Sequence, residues 1–201
     1  MTKKELTKEK IQQAAFKCVA RYGFEKTTLD DIAKEVGLNK ASLYYYYKNK
    51  EEIFLEITTS STRQFLETLQ AGTLAAPGGI VAQIRYFLLE RAVYYVRMVE
   101  QTHISEETLR QVEHLFWEQM KDVHAQEQAF LDALFKDAIS NGALKPFDTG
   151  RMALNLIALS ESIKKSAKEK YPDGKSTETI GKEIAINIDF MLALIFEGLR
   201  R

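Results

Sequence analysis

Between Thr27 and Lys50 the sequence gathers hydroxyls, phenol rings and ammonium groups at short spacing: Thr28, Ser42, the consecutive tyrosines Tyr44 to Tyr47, and Lys40, Lys48 and Lys50. Hydroxyl and ammonium donors side by side on a helix suit phosphate oxygens, while a small residue such as Ala41 allows close approach to base edges in a major groove. The segment holds no histidine that could activate a serine, and the chain has neither a glycine-rich phosphate loop nor a nucleophile elbow. Binding is therefore expected here, and catalysis is not.

Positioning these groups requires two short helices. Thr28 with Asp31 three residues on is an N-terminal capping pattern, and Ile32, Ala33 and Val36 give the helix it starts a buried face. Gly37 can take the left-handed conformation that ends it, Leu38 can bury under the turn, and Asn39 can cap the next helix. At about 100° per residue, with Leu43 pointing inward, Tyr47 falls near the same face. Ala41 and Tyr45 then point away, with Ser42 and Tyr44 on the flanks. Four tyrosines in a row encircle a helix and cannot all be core. The pattern is that of a DNA-reading helix-turn-helix, with Asn39, Lys40, Ala41, Ser42, Tyr44, Tyr45, Lys48 and Lys50 as candidate contacts.

The rest of the chain is helical by its periodicity, and its three prolines (Pro77, Pro146, Pro172) lie in breaks between periodic segments. A first helix is expected over about Thr7 to Tyr22, with Gly23 as its cap and Cys18 in the core. A long one follows from about Asn49 to Leu69, then a linker from Ala71 to Gly79. Further helical patterns cover roughly Ile80 to Glu100, Ser105 to Ser140, Thr149 to Lys170 and Ser176 to Leu199, the middle stretch being of undecided division. The chain has 201 residues, 45% hydrophobic and 28% charged, with no net charge. Its first fifty residues carry eleven Lys or Arg against six Asp or Glu, so a basic end is set against an acidic remainder, as a polyanion partner for one end would require. A single cysteine and a polar N-terminus suit the cytoplasm, and the most apolar run, Ala185 to Leu199, is broken by Asn187, Asp189 and Glu197, so no membrane span is expected.

The string NKASLYYYYKNKEEIF resembles the recognition helix and following turn of the tetracycline-repressor (TetR) family of bacterial regulators, and the likeness extends over about Ile11 to Leu55. The resemblance implies that Ser42, Tyr44 and Tyr45 meet bases or phosphates, that Tyr46 and Lys50 hold phosphates, and that Thr28 anchors the DNA backbone at its helix start. It also implies that Tyr47 stands where the family has a core phenylalanine, and a buried phenol there needs a partner for its hydroxyl. In such proteins the later helices bind a small effector and form a dimer; Asn141-Gly142-Ala143-Leu144 is a weak further likeness.

In the C-terminal part, Leu156, Ile157, Ser160 and Ile163, and then Ile184, Ile188, Met191, Leu192, Ile195 and Leu199, form apolar stripes. Paired with their symmetry mates they would build a four-helix dimer interface; alternatively they face the subunit's own core. Tyr94, Tyr95, Met98, His114, Phe116, Trp117 and Met120 are candidate effector contacts, although core packing has the same spacing. His103, His114 and His124 fit no closed zinc pattern, and neither metal nor cofactor is expected. The reading is an all-α chain, with a helix-turn-helix domain over residues 1–48 and an effector-binding and dimerisation domain over 49–201. It describes a cytoplasmic homodimeric regulator, a repressor released from a near-palindromic double-stranded operator by an unknown small molecule. The alternatives are an effector-independent architectural DNA-binding dimer and, more remotely, a DNA-modifying enzyme.

Overall fold

A computed structural model describes residues 2–102, 106–171 and 176–199, with the side chains of 102–117 and 119 outside the description. Among the described residues there are eight helices: α1 Lys3–Tyr22, α2 Leu29–Val36, α3 Lys40–Tyr46, α4 Lys50–Ala75, α5 Ile80–Thr102, α6 Glu106–Ser140, α7 Thr149–Glu169 and α8 Thr177–Glu197. None of them is long and apolar enough to cross a membrane.

Local chemistry sets most boundaries. α1 begins four residues earlier than its apolar stripe suggests, because Thr2 and Glu5 close a capping box that starts the helix on a polar turn. α4 continues past Leu69 to Ala75, since Ala71, Thr73, Leu74 and Ala75 all tolerate helix; its buried Thr73 satisfies its hydroxyl by donating to the Leu69 carbonyl at 2.7 Å. The true break is Pro77-Gly78-Gly79, where both glycines have positive φ. The middle stretch is undivided: α6 is one helix of 35 residues.

Two compact units are distinguished: Met1–Arg63 with Met98–Lys121, and Gln64–Arg97 with Asp122–Arg201. The division falls inside α4 at Arg63, beyond the 48/49 boundary that the motif alone suggests. In the first unit Ile11, Ala15, Val19, Phe24, Ile32, Leu43, Ile53 and Phe54 form the core, with the Phe24 and Phe54 rings edge to face at 4.8 Å. Cys18 is buried among them, and that burial pushes its thiol above the ordinary cysteine range.

In the second unit Ile84, Phe87, Leu88, Leu131, Phe135, Leu156, Ile184, Ile188, Leu192 and Phe196 are core. Gly181 on α8 faces Val93 of α5, where an added Cβ would sit in ordinary contact, 3.4 Å from the valine methyl. Of the stripe expected to face a second copy, Leu156, Ser160, Ile188 and Leu192 are at most 2% exposed and fill the unit's own interior, the alternative placement. Ile157, Ile163, Met191 and Ile195 are half-buried. A different stripe faces outward, Ile186, Phe190 and Leu194 on α8 at 66%, 68% and 61% exposure, with Leu154 and Leu159 on α7 at 54% and 44%.

Candidate nucleic-acid interface

The motif is built as a chain of caps. Thr28 accepts from the Asp31 amide at 3.2 Å and donates its hydroxyl proton to the Asp31 carboxylate at 2.6 Å, while its own amide donates to the same carboxylate at 3.0 Å. These bonds hold Asp31 below the usual carboxylate range. α2 ends at Gly37, in the left-handed region at φ 76°, and the Leu38 amide returns to the Ala33 carbonyl at 2.9 Å. Asn39 then caps α3, its Oδ1 accepting from the Ser42 amide at 2.7 Å. Two short helices, each marginal alone, are thereby fixed at one angle.

The caps orient α3 so that its tyrosines divide. Tyr45 is 73% exposed and Tyr44 47%, Tyr46 packs half-buried against the core, and Tyr47 is 3% exposed. Tyr47 finds its partner 35 residues away: Gln12 Nε2 donates to the phenol oxygen at 3.1 Å. Burial nonetheless pushes that phenol above its ordinary pKa, so it stays a neutral core group. Ala41 is exposed and Ser42 partly so. Thr28, Asp30, Lys40, Tyr44, Lys48 and Lys50 line one open groove of about 500 Å³. The structure thus brings together hydroxyls, phenols and ammonium groups from α2, α3 and the turn after it.

Three groups stand differently from the sequence reading. Lys50, expected to hold phosphate, donates instead to the carbonyls of Phe24, Glu25 and Thr27 at 2.8, 3.1 and 3.1 Å, with its ammonium 4.5 Å from the Phe24 ring centre. Its three N–H donors are therefore engaged by the loop between α1 and α2, and its role is to close that loop. Lys40 pairs with Asp30 at 3.0 Å, which raises its pKa and tempers the positive potential at the start of α3. Lys4, absent from the motif, lies with its ammonium 5.8 Å from the Tyr45 ring. No local pattern could have revealed it, since the pairing depends on how α1 lies against α3.

Lys50→Met should lower the stability of the first unit by about 1–3 kcal/mol, because the loop carbonyls lose a charged donor. Chemical denaturation will show this as a lower midpoint, whereas the salt dependence of DNA binding should not change. A flattened salt slope with unchanged stability would return Lys50 to the phosphates.

The candidate effector residues fall in both units. Tyr94 and Tyr95 meet edge to face at 5.6 Å in the second unit. Met98 and the fully buried Met120 belong to the first. His114, Phe116 and Trp117 lie outside the described side chains.

Residues 11–57 match the family profile described as bacterial regulatory proteins, tetR family. The chain is 44% identical over 62 residues to IcaR of Staphylococcus epidermidis, a negative transcriptional regulator of the biofilm operon icaADBC, a match covering 31% of the chain and 34% of that protein. The chain thus spans about a third of that relative's length. It is 26% identical over 157 residues to the HTH-type transcriptional regulator YhgD of Bacillus subtilis, covering 76% of the chain and 79% of YhgD. In fold it resembles the crystal structure of a transcriptional regulator from Cytophaga hutchinsonii, with a TM-score of 0.70 at 19% identity over 96% of this chain and 98% of that one.

Proposed function

We propose that the chain, whose residues 11–57 match the tetR family of bacterial regulatory proteins, is a cytoplasmic, homodimeric DNA-binding regulator, a repressor released from its operator by a small molecule. The observation that carries this reading is the capped α2–Gly37–α3 unit, which presents Ala41, Ser42, Tyr44 and Tyr45 on one face beside Lys40 and Lys48. Tyr45 and Ser42 read base edges; Thr28, Tyr44, Lys40 and Lys48 hold phosphates; Asn39 fixes the start of the reading helix; and Tyr46 sets its depth by packing on the core.

The second copy docks on the exposed stripe of Ile186, Phe190 and Leu194, with Leu154 and Leu159 of α7, an apolar face on two helices that pack together. Two-fold pairing presents two reading helices to half-sites about 34 Å apart, so the operator is near-palindromic. The effector acts by preferring the conformation that does not bind DNA, and occupied DNA weakens its binding to the same extent. That the Staphylococcus relative is a negative regulator supports repression as the sense.

Selection of bound sequences from random duplex DNA tests the reading. The full chain should enrich a two-half-site palindrome, and its affinity should fall steeply with salt. Tyr45→Ala and Ser42→Ala should change the consensus, whereas Lys48→Ala should weaken all sequences alike and flatten the slope of log affinity against log salt by about one unit per half-site. No enrichment at low ionic strength, or binding indifferent to salt, sinks the proposal.

A further inference from the structure

The second unit holds an ionic network centred on the buried pair Arg91 and Glu127. Arg91, 1% exposed on α5, donates through Nε to Glu127 of α6 at 2.8 Å and through Nη1 to Glu161 of α7 at 2.5 Å. Lys164 of α7 takes the other Glu161 oxygen at 2.5 Å, and His124 Nδ1 lies 3.1 Å from the other oxygen of Glu127. All four carboxylate oxygens are thus occupied, and two cations balance two anions before His124 is counted. Within this network lies Tyr95, 7% exposed, with Lys164 Nζ 4.7 Å and the Arg91 guanidinium 5.2 Å from its ring centre. Its hydroxyl is sealed from solvent and has no hydrogen-bond partner among the described residues.

Native interiors leave few polar groups in that state, and each one calls for an explanation. Burial, reinforced by Glu127, raises the phenol's pKa, so at neutral pH it is an O–H donor in need of an acceptor. Beside it are flat apolar surfaces: Tyr94 packs edge to face with Tyr95, and Phe65 stacks on Tyr94 at 3.9 Å and 6°. A charged guest would upset a balanced set of buried charges whose carboxylate oxygens are already engaged. A neutral one need supply no more than an oxygen lone pair and a ring.

We infer that the Tyr95 hydroxyl is the polar anchor of the effector site, and that the effector is an uncharged, planar small molecule presenting a carbonyl or comparable acceptor oxygen. This rests on the effector half of the proposed function. Arg91, Glu127, Glu161 and Lys164 are positioning residues, holding the phenol in place by charges that cancel.

The test is thermal unfolding of the full chain and of Tyr95→Phe, without DNA, in the presence of coumarin, acetophenone or benzamide, with benzoate and benzyltrimethylammonium as charged counterparts. The wild type should gain about 2–4 °C with at least one neutral carbonyl probe near saturation, and nothing from the charged pair. Tyr95→Phe should lose that gain, yet alone should unfold at an equal or higher temperature, because it removes an unsatisfied buried donor. A clear loss of stability in Tyr95→Phe alone would mean that the hydroxyl is already served, and the inference falls. It also falls if no neutral probe acts, if a charged one acts as well, or if the variant responds like the wild type. Since no DNA is present, failure here leaves the DNA-reading proposal standing, and failure of sequence selection leaves this result interpretable.

Discussion

Phe190→Glu leaves the chain monomeric and lowers its affinity for a two-half-site duplex by about 10²–10⁴-fold, the loss expected when two linked binding events become independent. Phe190 is 68% exposed at the centre of the Ile186, Phe190, Leu194 stripe, so the charge meets water in the isolated subunit and folding is undisturbed. In the dimer the same carboxylate would be buried opposite its own symmetry mate, where neither has a partner. Sedimentation equilibrium checks the assembly state, circular dichroism checks that helicity is kept, and titration with one-half-site and two-half-site duplexes checks the coupling. A Phe190→Glu protein that remains dimeric places the interface elsewhere. Ile188→Glu, two residues away but fully buried, provides the contrast: it should fail to fold rather than fail to assemble.

Arg91→Met should cost about 3–5 kcal/mol, a large share of the stability of any domain, because it removes the guanidinium from the buried Glu127 carboxylate and one of two cations from half-buried Glu161. The cost should depend on pH, and its sign can be worked out. Burial opposes ionisation of Glu127, but bonds from His124 and Arg91 outweigh it and hold the carboxyl below the usual glutamate range; for Glu161, burial is outweighed by Arg91 and Lys164. Groups depressed in the folded state stabilise fully above their unfolded pKa, about 4.3, and lose that contribution as pH falls through the folded value. Without Arg91, burial is opposed only by His124 at Glu127 and by Lys164 at Glu161, so the folded glutamates give up their protons less readily than in the wild type and the variant is penalised most near neutrality. The gap between the two proteins, measured by urea denaturation, should therefore narrow from pH 7 towards pH 4.5. A gap that stays constant or widens would show that the guanidinium does not keep these carboxylates ionised.

The reading motif was legible in the sequence because its determinants are local. Thr28 with Asp31, Gly37, and Asn39 with Ser42 each act within three residues, and period alone sends Tyr45 outward and Leu43 inward. What escaped depends on segments distant in sequence. The Gln12 donor to Tyr47, the three carbonyls on Lys50 and the Lys4 ammonium near Tyr45 all require α1 and its loop to be in place. On α8 the ambiguity is intrinsic. Ile184, Ile188, Leu192 and Phe196 form one apolar row, and Ile186, Phe190 and Leu194 form another. Both repeat every four residues, so periodicity cannot say which faces the subunit's own interior. The buried network was hidden for a related reason: Arg91, Glu127 and Glu161 come from three helices, and a charged residue on an otherwise mixed helix face reads as solvated.

The Lys50 clamp has a mechanical consequence. An amine pinned to three carbonyls and laid over a phenyl ring fastens the first turn of α4 to the loop between α1 and α2, so that joint carries load without slack. A twist or push delivered along the shaft of α4 reaches Tyr44 and Tyr45 as motion of one stiff bracket rather than being absorbed at a pliant elbow.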